Sequence, residues 1–148
     1  MIQLRYGLAL AAVCAAAMGC ARSSGAAGSA RPSAANGVSL CGARIARQWH
    51  GKTPNAKAEE YAAYLSDAIK AFRKLEGNRG YQMMRETIGD ETHFSVISYW
   101  DSREAIVAYA GQDIRRTRSL PRDSEFLIDL EPTVMNYDLV VLDAECPR

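Results

Sequence analysis

The sequence is poor in the side chains from which most catalytic and metal sites are built. Of 148 residues, only two are histidines, His50 and His93, and four are cysteines. Neither histidine stands at close metal-ligand spacing from a second His, a Cys or a carboxylate, so no metal site is expected. There is no G-x-S-x-G elbow, no glycine-rich phosphate loop and no zinc motif. Gly77-Asn78-Arg79-Gly80 reads as a helix stop and a turn. No cofactor is expected. Neither sign of charge dominates: 18 basic against 17 acidic side chains leave a net charge of +1, which excludes the electrostatic footprint of a nucleic-acid binder. No apolar run reaches the roughly 20 residues that a bilayer-spanning helix needs. What remains, 48% hydrophobic and 24% charged, is the composition of one globular domain rather than of a disordered or multi-span chain.

The apolar residues are concentrated at one end. Residues 6–19 carry no charge and are mostly Ala, Leu, Val and Met, after Arg5 and before a run of small residues. A positive start, a short apolar stretch and a small-residue exit make an export signal. Its exit, Ala16-Ala17-Met18-Gly19-Cys20, resembles the lipobox of bacterial lipoproteins, in which cleavage before the cysteine leaves that residue to carry lipid. Ala15-Ala16-Ala17 also suits an ordinary signal peptidase. Cysteine parity favours lipidation. Cys14 leaves with the signal, and a lipidated Cys20 leaves Cys41 and Cys146 to pair. The expectation is a signal over 1–19 and an anchor to the lipid bilayer through Cys20. The small residue after the cysteine points, by resemblance to enterobacterial sorting, to the outer membrane facing the periplasm. Residues 20–38 are nearly all Ala, Ser, Gly, Arg, Pro and Asn, a composition that cannot bury enough surface to order itself, and read as a tether.

The folded part is expected over 39–148. Residues 43–50 read as a strand, with Ile45, Arg47 and Trp49 on one face and Ala46, Gln48 and His50 on the other. Residues 51–55 read as a turn, with Thr53 capping a helix that has Pro54 at its first position. Tyr61, Leu65, Ala68, Phe72 and Leu75 step by four and three, predicting an amphipathic helix of about five turns that Gly77 ends. Strands follow over 81–88 and 93–100, joined by a hairpin turn. Asp101 with Glu104 has capping-box spacing for a short helix over 101–111. One helical turn is expected over 126–130 and an apolar final strand over 134–142. The order strand–helix–strand–strand–helix–strand favours an α+β, ferredoxin-like antiparallel sheet with both helices on one face. That topology puts the first and last strands side by side and antiparallel, and so brings Cys41 to Cys146. A disulfide there would close a loop of about a hundred residues, contributing roughly 4 kcal/mol or less.

Several stretches of this part resemble the antibiotic-biosynthesis monooxygenase-like (ABM) family of dimeric α+β barrels: Ala43-Arg44-Ile45 with Trp49-His50-Gly51, Gly80-Tyr81, Ser98-Tyr99-Trp100-Asp101-Ser102, Glu104-Ala105-Ile106, Tyr109-Ala110-Gly111, Leu120-Pro121, Phe126-Leu127 and Glu131-Pro132. The resemblance implies a homodimer in which helices cover one sheet face, a partner covers the other, and a cavity lies between sheet and helices. The strands agree independently, since large apolar residues lie on both of their faces and two helices can cover only one. The resemblance also implies what is missing. The haem-degrading branch uses an Asn, a Trp and a His; Trp100 falls at the Trp position, but the His position holds Ala110. The His-Tyr-Glu of many relatives is here Asn136-Tyr137-Asp138.

Two functions are therefore expected. One is a tethered dimer that binds a small molecule or acts structurally. The alternative is a cofactor-independent monooxygenase acting on an aromatic or quinol-type molecule, with His50, Trp100 and Asn136 as catalytic candidates and Trp49, Tyr99 and Tyr137 lining the ligand cavity. Arg115, Arg116, Arg118 and Arg122 form a basic loop, read as a solvated connection or as a rim for an anionic ligand.

Overall fold

The computed structural model describes residues 40–144 and 146. The expected signal over 1–19, the tether over 20–38 and the lipidation candidate Cys20 lie outside the described residues. The elements run β1 (Ile45–Pro54), α1 (Ala58–Ile69), β2 (Asn78–Ile88), β3 (Glu91–Trp100), α2 (Arg103–Ala110), α3 (Asp123–Phe126) and β4 (Met135–Asp138). The strands form one sheet in the order β2-β3-β1-β4, every pair antiparallel. This is the ferredoxin-like topology that the sequence pattern favours.

Register assigns every strand residue to a face, because directly opposed residues point the same way. Ile45 opposes Trp100, Trp49 opposes Val96 and Gly51 opposes Phe94. Tyr81 opposes Ser98 and Met83 opposes Val96. On this face Phe94 and Val96 pack with Tyr61, Leu65 and Ile69 of α1 and with Phe126 of α3. Ile45 and Trp100 pack with Ile106 of α2. Both main helices thus cover one face. Their interface with the sheet is filled by side chains: Tyr61, Phe94, Trp100 and Ile106 are fully buried, and Phe72, Trp100 and Tyr109 meet edge to face or stacked.

Several local expectations are corrected. Residues 51–54 are strand, not turn. Thr53 is completely buried opposite Thr92 rather than capping a helix. Pro54 is tolerated because it ends a strand whose β4 partner stops at Gln48. The helix therefore begins later, at Ala58, and Asn55 makes the junction: its backbone N–H donates to Asp90 O, and its amide donates to Gly89 O. The expected five-turn helix is α-helical to Ile69 and then a 3-10 turn over Lys70–Lys74. The cap of α2 is Ser102, whose Oγ accepts from the Ala105 N–H at 3.2 Å, and not Asp101. The short helical turn lies at Asp123–Phe126, upstream of its expected place. The last strand is four residues long instead of nine. Leu139 N–H still donates to Arg44 O, but the chain before Arg44 turns away, with Ala43 N–H donating to Leu40 O, so β1 offers residues 140–142 no further pairing among the described residues. Val140 and Val141 are accordingly exposed. Cys41 and Cys146 are disulfide-bonded, their Cα atoms 5.1 Å apart.

Candidate functional site

The sheet divides the six expected site residues into two groups of three. Trp49, Trp100 and Asn136 lie on the helix-covered face; His50, Tyr99 and Tyr137 lie on the opposite, open face. Trp100 is core, and its indole N–H donates to Ser98 Oγ at 2.9 Å. Trp49 folds back along its own strand onto Gly51, where a Cβ would lie 2.4 Å from the ring. Only a glycine two residues on leaves room for that indole. Asn136 donates its amide to Ile114 O at 3.0 Å. His50 is therefore not brought together with Trp100 and Asn136.

On the helix side, Asn136 meets a residue that sequence reasoning left as a strand position. Arg47 is 5% exposed. Its guanidinium donates to the backbone carbonyls of Ile114 and Arg116, with Asn136 Oδ1 at 3.5 Å. Burial pulls the Arg47 guanidinium below its ordinary pKa. Its work is mechanical: it pins the 113–117 loop onto the sheet, where Thr117 N–H donates to Pro132 O and Val134 N–H to Arg115 O. The arginines of the basic loop do not form one patch. Arg118 lies over the Tyr109 ring, and Arg122 lies over Phe126 while pairing with Glu60 and Glu125.

The open face carries the second group, and with it the described histidines. His50 of β1 opposes Ser95 of β3, and His93 opposes both Lys52 of β1 and Glu86 of β2. This diagonal brings the imidazoles together, with His50 Nε2 3.2 Å from His93 Nδ1. Each outer ring nitrogen faces a carboxylate: His50 Nδ1 is 2.6 Å from Glu131 Oε1, and His93 Nε2 is 3.5 Å from Glu91 Oε2. Lys52 Nζ continues the chain at 3.6 Å from Glu91 and 3.5 Å from Asp129. A cavity of about 520 Å³ opens beside this row, lined by His50, Met84, Glu86, Ile88, His93 and Ser95 among others. Met84 and Ile88 in its lining, and Met135 and Tyr137 on β4 of the same face, are between 44% and 53% exposed, a large apolar content for a bare sheet face. The His50–His93 contact could not be read along the chain. The residues are 43 apart, and only the β1–β3 register puts them on neighbouring diagonal positions.

The family model described as antibiotic biosynthesis monooxygenase matches residues 50–116. No curated protein matches the chain in sequence. Among solved structures, the chain is similar to a protein of unknown function from Nitrosomonas europaea, with 12% identity over 71% of this chain and 97% of that one and a TM-score of 0.54. It is also similar to the heme-degrader MhuD of Mycobacterium tuberculosis, a structure with two hemes bound in its active site, at 22% identity over 68% of this chain and 99% of that one with a TM-score of 0.47. The matched residues run from the middle of β1 through α2 into the loop that Arg47 pins, within a unit of ferredoxin-like fold.

Proposed function

We propose that the protein is a lipid-anchored, homodimeric ABM-like domain that binds a small molecule in the cavity of its open sheet face. The observation that carries this reading is the composition of that face. Met84 and Ile88 line a cavity with His50 and His93, and Met135 and Tyr137 of β4 continue the exposed apolar surface on the same face of the sheet. Small-molecule sites combine an apolar wall with a few placed polar groups in this way. An apolar sheet face open to water is also what a second copy would cover under a twofold axis. The anchor rests on Ala16-Ala17-Met18-Gly19-Cys20, and the cell-envelope location follows from it.

Native mass spectrometry of the detergent-extracted protein tests the reading directly. The expected result is a lipid-modified dimer carrying a small-molecule mass that is lost when Ile88 is replaced by Asp. A monomer of unlipidated mass would overturn it.

A second reading, cofactor-independent oxygenation, is favoured by one contact. Glu131 orients the His50 imidazole at 2.6 Å, as a carboxylate does for a general base. Its base would act from the open face, without Trp100 or Asn136. His50→Ala should then abolish turnover while leaving the dimer intact.

A further inference from the structure

The two imidazoles pose a problem of proton placement. A neutral imidazole carries one N–H and one bare nitrogen. Glu131 Oε1, 2.6 Å from His50 Nδ1, takes the N–H of that ring, which leaves Nε2 bare. His93 has two neutral tautomers: with its proton on Nδ1 it donates to His50 Nε2, and with its proton on Nε2, toward Glu91 Oε2 at 3.5 Å, it leaves Nδ1 bare. In the second tautomer two bare nitrogens face each other at 3.2 Å. Two lone pairs at that separation repel unless a cation lies between them.

We propose that His50 Nε2 and His93 Nδ1 chelate a divalent transition-metal cation of the imidazole-binding class, such as Zn²⁺ or Cu²⁺. Three features of the site fit. With metal–nitrogen bonds of about 2.1 Å, nitrogens at this separation subtend an angle of about 100° at the metal, within the range of tetrahedral geometry. The outer nitrogen of His50 already hydrogen-bonds Glu131, the arrangement that fixes the tautomer and orientation of metal-bound histidines, and Glu91 stands 3.5 Å from the outer nitrogen of His93. The surroundings also carry surplus negative charge. Glu131 and Glu91 stand beside the rings and Glu86 lines the same cavity, while Lys52 is shared between Glu91 and Asp129, and Arg85 is held by Glu59 at 2.6 Å.

Among the described residues, no three His, Cys, Asp or Glu side chains form a complete metal site. This chain thus supplies two nitrogens and leaves the remaining positions open toward the cavity. Those positions suit water or an electron-pair donor on a bound molecule, as in metal sites that work on a ligand. The inference deepens the proposed function by naming what holds the small molecule, and it uses that reading's cavity but neither its anchor nor its dimer.

The test is a titration of the full-length protein with Zn²⁺, followed by the imidazole ¹⁵N signals of His50 and His93. Both rings should shift together and saturate at one equivalent, with no response to Mg²⁺. His50→Ala and His93→Ala should each weaken Zn²⁺ binding at least tenfold, and Glu131→Gln, which keeps the side chain's shape, about tenfold. Ring signals that respond to acid but not to Zn²⁺ would mean that a shared proton occupies the pair, and would overturn the proposal. So would Zn²⁺ affinities of the histidine variants equal to wild type, since the metal would then sit elsewhere. A small-molecule adduct on the dimer alongside unresponsive imidazoles would reject the metal alone and leave the proposed function standing.

Discussion

Asp123 is the most constrained carboxylate described. It is 3% exposed at the start of α3. Its two oxygens accept from the Tyr61 hydroxyl at 3.0 Å and the Leu120 N–H at 2.7 Å. Burial pushes its carboxyl above the usual carboxylate range, against the pull of those two hydrogen bonds, and the same burial, with Asp123 alongside, pushes the Tyr61 phenol up. In the unfolded chain the Asp123 carboxyl ionises at its ordinary value. Between that value and the raised folded one, the native state therefore holds the extra proton, and stability falls as pH rises through the window. Asp123→Asn removes the titration while keeping an acceptor for Leu120 N–H and a donor for the Tyr61 oxygen. Urea unfolding from mildly acidic to neutral pH should show wild type losing stability relative to Asp123→Asn as pH rises. Asp123→Ala leaves both partners unsatisfied and should cost about 1–3 kcal/mol throughout. A pH-independent difference between Asp and Asn would refute the assignment.

The junctions between elements are where the sequence carries its clearest punctuation, and Gly77 shows why. It sits between the 3-10 turn and β2 at φ +77°, and a Cβ there would lie 2.4 Å from Ala105 Cβ and 2.8 Å from Asp101 Oδ1. The left-handed backbone alone costs a side chain about 1–2 kcal/mol, and the clash would push α2 off the sheet. Gly77→Ala should therefore lower stability by about 2 kcal/mol or more in chemical denaturation, with near-UV change at Trp100, which α2 covers. The same logic explains what could be read along the chain. The apolar faces of α1 and β3 follow from periodicity, because each buries one side against the other. Gly77 and Gly111 mark helix ends by their positive φ. Local chemistry misleads where tertiary pairing overrules it. Gly51 and Pro54 look like a turn, yet Phe94 and Glu91 hold them in a strand, and Gly51 serves to seat Trp49. Residues 140–142 look like a strand but have no strand partner among the described residues. The site was legible only in part. His50 was singled out, but its partner His93, its carboxylate Glu131 and the helix-side placement of Trp100 depend on register and on a loop return that no local pattern encodes.

At the scale of the whole molecule, the two ends of the described chain meet at one edge of the sheet. β4 is bound to β1 over only four residue pairs, from Ile45–Asp138 to Gln48–Met135. Its strand-side supports are few: Asn136 holds the 113–117 loop together with Arg47, and Asp138 pairs with Arg103 of α2 at 2.8 Å, an exposed contact. Exposed ion pairs contribute little. The Cys41–Cys146 bond, joining positions 105 residues apart, therefore ties down the least secured strand. Cross-linking positions so distant restricts the unfolded chain strongly and contributes about 4 kcal/mol or less. Cys41→Ser should thus destabilise the domain by about 2–4 kcal/mol, and the loss should be uneven. Amide hydrogen exchange should rise first over Met135–Asp138, then at Thr117 and Val134, whose N–H groups tie that strand's approach to the 113–117 loop. The β2–β3 hairpin, paired without interruption from Gly80–Tyr99 to Ile88–Glu91, should keep its protection relative to global unfolding. Two alkylatable thiols at Cys41 and Cys146 in the non-reduced protein would remove the bond from the fold, and equal exchange in wild type and Cys41→Ser would show that β4 is held by its neighbours alone.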